Sequence, residues 1–119
     1  MRYKELIESK ACGDCFQIAG RNLIDEKVPG IKLVHALVHG GGALEGRRFP
    51  HAWNEFDDIV LDNSNGNQVI MRKEHYYDKG RINPEESGAY AKYDKDAALK
   101  LMLKTKHWGP WGLDETLEE

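Results

Sequence analysis

A thiol, an imidazole and a carboxylate are the groups that nucleophilic attack and proton transfer use, and this chain offers one of each at Cys15, His51 and Asp62. The stretch from Arg48 to Asp62 reads as two short strands joined by the acidic turn Asp57-Asp58. If those two residues form the whole turn, Phe56 faces Ile59 and Trp53 faces Asp62, because partners in an antiparallel ladder keep a constant sum. Alternation of side chains then puts His51, Trp53 and Asp62 on one face, with Asp62 diagonal to His51. That geometry suits an imidazole oriented by a carboxylate. The turn decides it: Asp-Asp lacks the glycine such turns favour, and a three-residue loop would carry Asp62 to the other face.

The thiol needs its own element. Asp14 is a good N-cap, and Gln17 three residues later resembles the second half of a capping box, which makes Cys15 the first residue of a helix. Phe16, Ala19, Leu23 and Ile24 give that helix an apolar stripe, and Val28-Pro29-Gly30 stops it. In the first turn, unpaired backbone amides and the positive end of the helix dipole favour a thiolate, with Asp14 working the other way. The same amides can donate to an oxyanion.

The remaining elements supply a body for these groups. Residues 2–9 read as a short helix, and Ile31 to Val38 as a buried strand ended by the glycine-rich loop from Gly40 to Gly46. That loop is no phosphate cradle, since no Gly-Lys-Ser/Thr follows. Asn63 to Asn67 is a turn cluster, Gln68 to Met71 a short strand, and Lys73 to Lys79 one or two helical turns carrying His75, Tyr76 and Tyr77. Asn83 to Gly88 reads as a loop and Ala89 to Tyr93 as a last strand. Asp94 caps a helix burying Ala98, Leu101 and Met102, and an irregular packed tail and a frayed acidic end from Asp114 follow.

At 119 residues with a formal charge of -3, the chain has the size of one domain, 1–119, and the balance of an ordinary globular protein. The basic residues are scattered, so no electrostatic footprint for nucleic acid appears. Met1 to Glu8 lacks the apolar run of a signal peptide and no stretch is long enough to span a bilayer, so a cytoplasmic protein without a membrane partner is expected. Cys12 and Cys15 lie too close for a disulfide between them to stabilise much.

Cys15 opening a helix, His51 in His-Ala-Trp-x-Glu at the start of a strand and Asp62 closing the next form a pattern. It resembles the transglutaminase-like branch of the papain-like thiol superfamily. With Gly-Asp-Cys, Arg-Phe-Pro-His-Ala-Trp and Asp-x-Ser-Asn-Gly it also resembles a set of small uncharacterised phage and bacterial proteins, and a phage-encoded chain would act in the host cytoplasm. The resemblance covers roughly residues 13–66 and is most specific at His-Ala-Trp-x-Glu. It implies Cys15 as nucleophile, His51 as general base and acid, and Asp62 as the group fixing the imidazole tautomer. The chemistry implied is attack on an amide or peptide carbonyl through a thioester that passes to water or an amine. The chain is much smaller than true transglutaminases and has no evident calcium motif, so protein crosslinking does not transfer. No side chain matches an oxyanion-hole donor, which leaves the backbone amide of Cys15 for that role.

Other readings stay open. Cys12-Gly13-Asp14-Cys15 could be a redox pair, but the charged Arg2 to Lys10 is unlike the apolar strand that precedes such a motif in thioredoxin-like proteins. His35 or His39 could join the cysteines on zinc, yet no second closely spaced pair exists. Glu55, Asp57 and Asp58 read as a solvated turn, Trp53 as core or as a shield beside His51, and Gln17 and His39 as further pocket candidates. The expectation is an α+β fold, with the cysteine-bearing helix packed on a small, mainly antiparallel sheet in a papain-like or transglutaminase-like core. The function expected is a thiol hydrolase or acyl transferase acting on a peptide or protein amide with no cofactor and no metal. A non-catalytic binding module on the same fold is the alternative.

Overall fold

The computed structural model describes residues 14–26, 28–40, 47–66 and 68–117. The helix expected over 2–9, Cys12 with its redox reading, and most of the glycine loop lie outside the described residues. Among the described residues the architecture is α+β, with three α-helices and a five-stranded antiparallel sheet. In chain order these are α1 (Cys15–Asp25), β1 (Lys32–His39), β2 (Arg48–Phe56), β3 (Ile59–Asp62), β4 (Val69–Arg72), α2 (Lys73–Gly80), β5 (Tyr90–Tyr93) and α3 (Lys95–Thr105), with a 3₁₀ turn at Ser64–Gly66. The strand order is β4-β3-β2-β1-β5.

The β2–β3 hairpin has the two-residue turn. Phe56 pairs with Ile59, Glu55 with Val60 and Asn54 with Leu61. The missing glycine is no obstacle, because Asp57 itself takes the left-handed conformation at φ 53°, which aspartate tolerates better than most side chains.

Alternation along the strands separates two cores. On one side α1 lays Cys15, Phe16, Ala19 and Leu23 against Leu33 and Ala52, with Ala98 of α3 beside them. Tyr93, Trp108 and Trp111 pack at the margin of this cluster, so the tail is packed as its aromatic content suggests. On the other side Val34, Ala36, Val38, Trp53 and Val60 form a second cluster, closed by Tyr76 and Tyr77 of α2 and by Ile82. A sheet buried on both faces explains why β1 is a continuous apolar run.

Two local expectations are corrected. Asp14 occupies the N-cap position of α1, but with φ -106° and ψ 8° it is not extended, and its side chain makes no capping hydrogen bond. Capping geometry needs an extended residue there, as Asp94 shows at α3, where its carboxylate accepts from the Ala97 amide at 2.8 Å. The acidic end is likewise not frayed through Leu117: the Asp114 amide donates to the Gly88 carbonyl at 2.7 Å, tying the segment to the loop before β5. No helix among the described residues is long and apolar enough to cross a membrane.

Candidate functional site

The hairpin register brings the imidazole and the carboxylate together. His51 Nε2 lies 2.8 Å from Asp62 Oδ2, both side chains buried. Asp62 is itself held at every lone pair. Oδ1 accepts from the Ser64 amide at 3.1 Å and the Ser64 hydroxyl at 2.7 Å, while Oδ2 also accepts from the Tyr76 hydroxyl at 2.6 Å. The Ser64 contacts are the local turn an Asp-x-Ser spacing favours. Tyr76 arrives from α2, which is laid across this face of the sheet.

The third group reaches the pair past an open edge. β3 pairs with β2 over Asn54 to Phe56, so the earlier part of β2 has no β3 neighbour beside it. Cys15, at the start of α1, shares a small cavity there with Trp53, Asp62 and Ser64, too tight to hold a water. Cys15 lies near enough to His51 to contribute to raising the imidazole pKa. Asp62 occupies Nε2, and Nδ1, the ring nitrogen left for a thiol, is buried without a hydrogen-bond partner.

Electrostatics follow this geometry. Burial works against a charged imidazole, but the hydrogen bond it donates to Asp62, with the nearness of Cys15 and the carboxylate charge, outweighs it, raising the His51 pKa to about 10. Burial also opposes a charged Asp62, but hydrogen bonding and charge from His51, with the hydroxyls of Tyr76 and Ser64, hold it well below the usual carboxylate range. Tyr76 moves the opposite way, pushed up by burial and by the neighbouring carboxylate. Both shifts favour the charged forms, an imidazolium facing a carboxylate.

Trp53 is core. It is 1 % exposed, its ring lies 6.0 Å from that of His51 and 5.0 Å from that of Tyr76, and its Nε1 donates to Glu55 Oε2 at 2.9 Å. That contact overturns the solvated reading of Glu55. Side chains two apart on a strand share a face, so Glu55 points with Trp53 into the second core, where Tyr77 also donates to it and Lys92 Nζ lies 3.2 Å away. Asp57 and Asp58 are exposed as expected.

His39 does line a cleft. It has a volume of 370 Å³ and walls that include His39, Phe49, His51, Met71, Tyr76 and Lys79. Gln17 is half-buried on α1 and is not among its lining residues. His35 lies elsewhere, fully buried among the rings of Phe16, Tyr93 and Trp111, with neither ring nitrogen hydrogen-bonded. Burial lowers its pKa to about 3. Among the described residues, no group of three or more His, Cys, Asp or Glu side chains could hold a metal ion.

No protein-family description, curated protein or solved structure matches this chain. The groups the chain itself brings together are a thiol at a helix start, an imidazole near it, and a carboxylate fixed by four donors. The sequence reading missed Ser64 and Tyr76. The Asp-x-Ser spacing carried a signal for the first, and nothing local marks the second.

Proposed function

We propose that this protein is a cysteine-dependent hydrolase or acyl transferase of the transglutaminase-like, papain-like type, acting on an amide or peptide carbonyl. The reading rests above all on the 2.8 Å contact between His51 and Asp62 beside the thiol of Cys15. In this mechanism the sulfur, as thiolate against the His51 imidazolium, attacks the carbonyl carbon. The imidazolium gives its proton to the leaving amine as the C–N bond breaks, and a thioester remains on Cys15. Water or an amine then attacks the thioester, losing its proton to the imidazole, and the C–S bond breaks to restore the thiolate. Asp62 keeps the ring oriented throughout, and the Cys15 amide at the start of α1 is available to the oxyanion.

A second reading is favoured by one observation: Cys15 is only 1 % exposed. A binding module that has kept the fold without turnover would tolerate a closed thiol. Iodoacetamide labelling of each cysteine, followed by mass spectrometry across pH in the wild type and in His51→Ala, separates the two. The hydrolase reading expects Cys15 to react under native conditions and to lose most of that reactivity in His51→Ala. Labelling of Cys15 only in denaturant would leave the binding module.

A further inference from the structure

The cleft of 370 Å³ lies at the lower end of the range of small-molecule sites, about 300–1,000 Å³. It is set between α2 and parts of β1, β2 and β4, and its apolar walls come from Val38, Phe49, Val69, Met71 and Ile82. Several of its polar groups are engaged elsewhere. His51 Nε2 and the Tyr76 hydroxyl both serve Asp62, and His39 Nδ1 lies 3.4 Å from the Gly80 carbonyl. Lys79 differs from these. It lines the cleft from the last turn of α2, is exposed, and has no ion-pair partner among the described residues. No Asp or Glu among the described residues lines the cleft. Asp78 is adjacent in sequence, but neighbouring helix positions do not face each other. Glu86, whose charge His39 also feels, is held by the two terminal nitrogens of Arg48 at 2.9 and 3.1 Å.

We propose that this cleft is a binding site for a small apolar monocarboxylate, its alkyl or aryl body among Phe49, Val69, Met71 and Ile82 and its carboxylate at the Lys79 ammonium. The walls choose the body and the lysine chooses the head. A lysine is a compact point charge on a flexible stem, without the planar fork that recognises phosphate with two bonds. Sites for multiply charged anions use the amides of a helix N-terminus. The end of α2 at this cleft is the opposite one, Gly80, where the helix carries partial negative charge. A head with one negative charge therefore fits where a phosphate does not. The ligand is held without reacting: Cys15 does not line the cleft, Nδ1 of His51 is buried and Nε2 is taken by Asp62. The assignment is thus independent of the acyl-transfer reading.

Isothermal titration calorimetry of the full chain with octanoate, octanol, octylamine and acetate separates head from body. The expected result is saturable binding of octanoate, about two- to fivefold tighter than octanol, the increment an exposed ion pair supplies. Octylamine should bind more weakly than octanol. Acetate, which lacks the methylenes the walls would bury, should bind at least about a hundredfold more weakly than octanoate. Lys79→Gln, a change at an exposed position, should bring octanoate and octanol to equal affinity. Should that variant not fold, raised salt, which screens an exposed charge, should narrow the same ratio in the wild type. NMR locates the ligand: octanoate should shift the methyl resonance of Met71 and leave that of Met102, which lines a separate apolar cleft with Leu99 and Trp108. Octanol or octylamine binding as tightly as octanoate, or a preference for octanoate that survives in Lys79→Gln, overturns the carboxylate assignment. A shift at Met102 alone overturns the location, and the absence of saturable octanoate binding overturns the site.

Discussion

The Tyr76 hydroxyl donates to Asp62 Oδ2 at 2.6 Å, and the same oxygen faces His51 Nε2 at 2.8 Å. One carboxylate oxygen thus joins α2 to the β2–β3 hairpin. Tyr76→Phe deletes one hydrogen bond to a buried charge while leaving the ring packed on Trp53. It should cost about 1.5–3 kcal/mol in urea denaturation. Because the Tyr76 hydroxyl helps hold the Asp62 pKa down, the variant should also begin to unfold at a higher pH during acid titration. A stability loss without that acid shift would mean the ring, and not its hydroxyl, matters to Asp62.

Asp62→Asn removes the charge that His51 answers. The imidazole is then buried without a counter-ion, and burial, which already opposes its charge, lowers its pKa instead of being outweighed. NMR titration of the His51 ring should show the midpoint falling from its raised position to the ordinary histidine range or below. Breaking a buried pair from one side costs about 3–5 kcal/mol. Cys15 labelling by iodoacetamide should fall with it. A His51 midpoint that stays high in Asp62→Asn would assign the upward shift to Cys15.

How much of this was legible depends on whether a contact is local or carried by the topology. Antiparallel pairing made the hairpin readable, since a two-residue turn fixes every partner from Phe56–Ile59 inward. The position of Cys15 at a helix start followed from the Asp14 boundary and the apolar spacing of α1. Glu55 was misread because it precedes two exposed aspartates. Its burial is set by Tyr77 on α2 and Lys92 on β5, which no local pattern links to it. Tyr76 escaped for the same reason, since its reach to Asp62 depends on where α2 crosses the sheet. His35 could be seen as a strand residue, but not as the centre of a ring cluster closed by Trp111 from the tail.

Glu55 gives the next prediction. Its carboxylate is almost wholly buried and takes Trp53 Nε1, the Tyr77 hydroxyl and the Lys92 ammonium, while Tyr77 in turn pairs with Tyr90. Glu55→Ala leaves the Trp53 indole N–H unpartnered in the core and the Tyr77 hydroxyl with Tyr90 alone, and should cost about 3 kcal/mol or more. Glu55→Gln keeps an acceptor and should cost less. Hydrogen exchange of the Trp53 indole proton, followed by NMR, should quicken in both variants. An unchanged exchange rate would show that packing alone protects it.

The two buried histidines pull stability in opposite directions with pH. His51 has a folded pKa raised from 6.5 to about 10, so its contribution is full below pH 6.5 and fades as pH rises toward 10. His35 has a folded pKa lowered from 6.5 to about 3. The unfolded chain binds its proton first, so its contribution is full above pH 6.5 and is lost as pH falls toward 3. That loss runs at up to about 1.4 kcal/mol per pH unit. Asp62, held low, adds a further loss only at pH values near and below the ordinary carboxylate pKa. Urea denaturation across pH 4–9 should therefore give a maximum near pH 6.5 in the wild type. His35→Leu keeps an apolar side chain among Phe16, Tyr93 and Trp111 and removes a group that cannot charge there, so its curve should flatten on the acid side and keep the alkaline decline. Asp62→Asn should do the reverse, losing the alkaline decline and keeping the acid one down to about pH 4. An acid limb unchanged in His35→Leu would show that the ring cluster holds its histidine with a partner in solution.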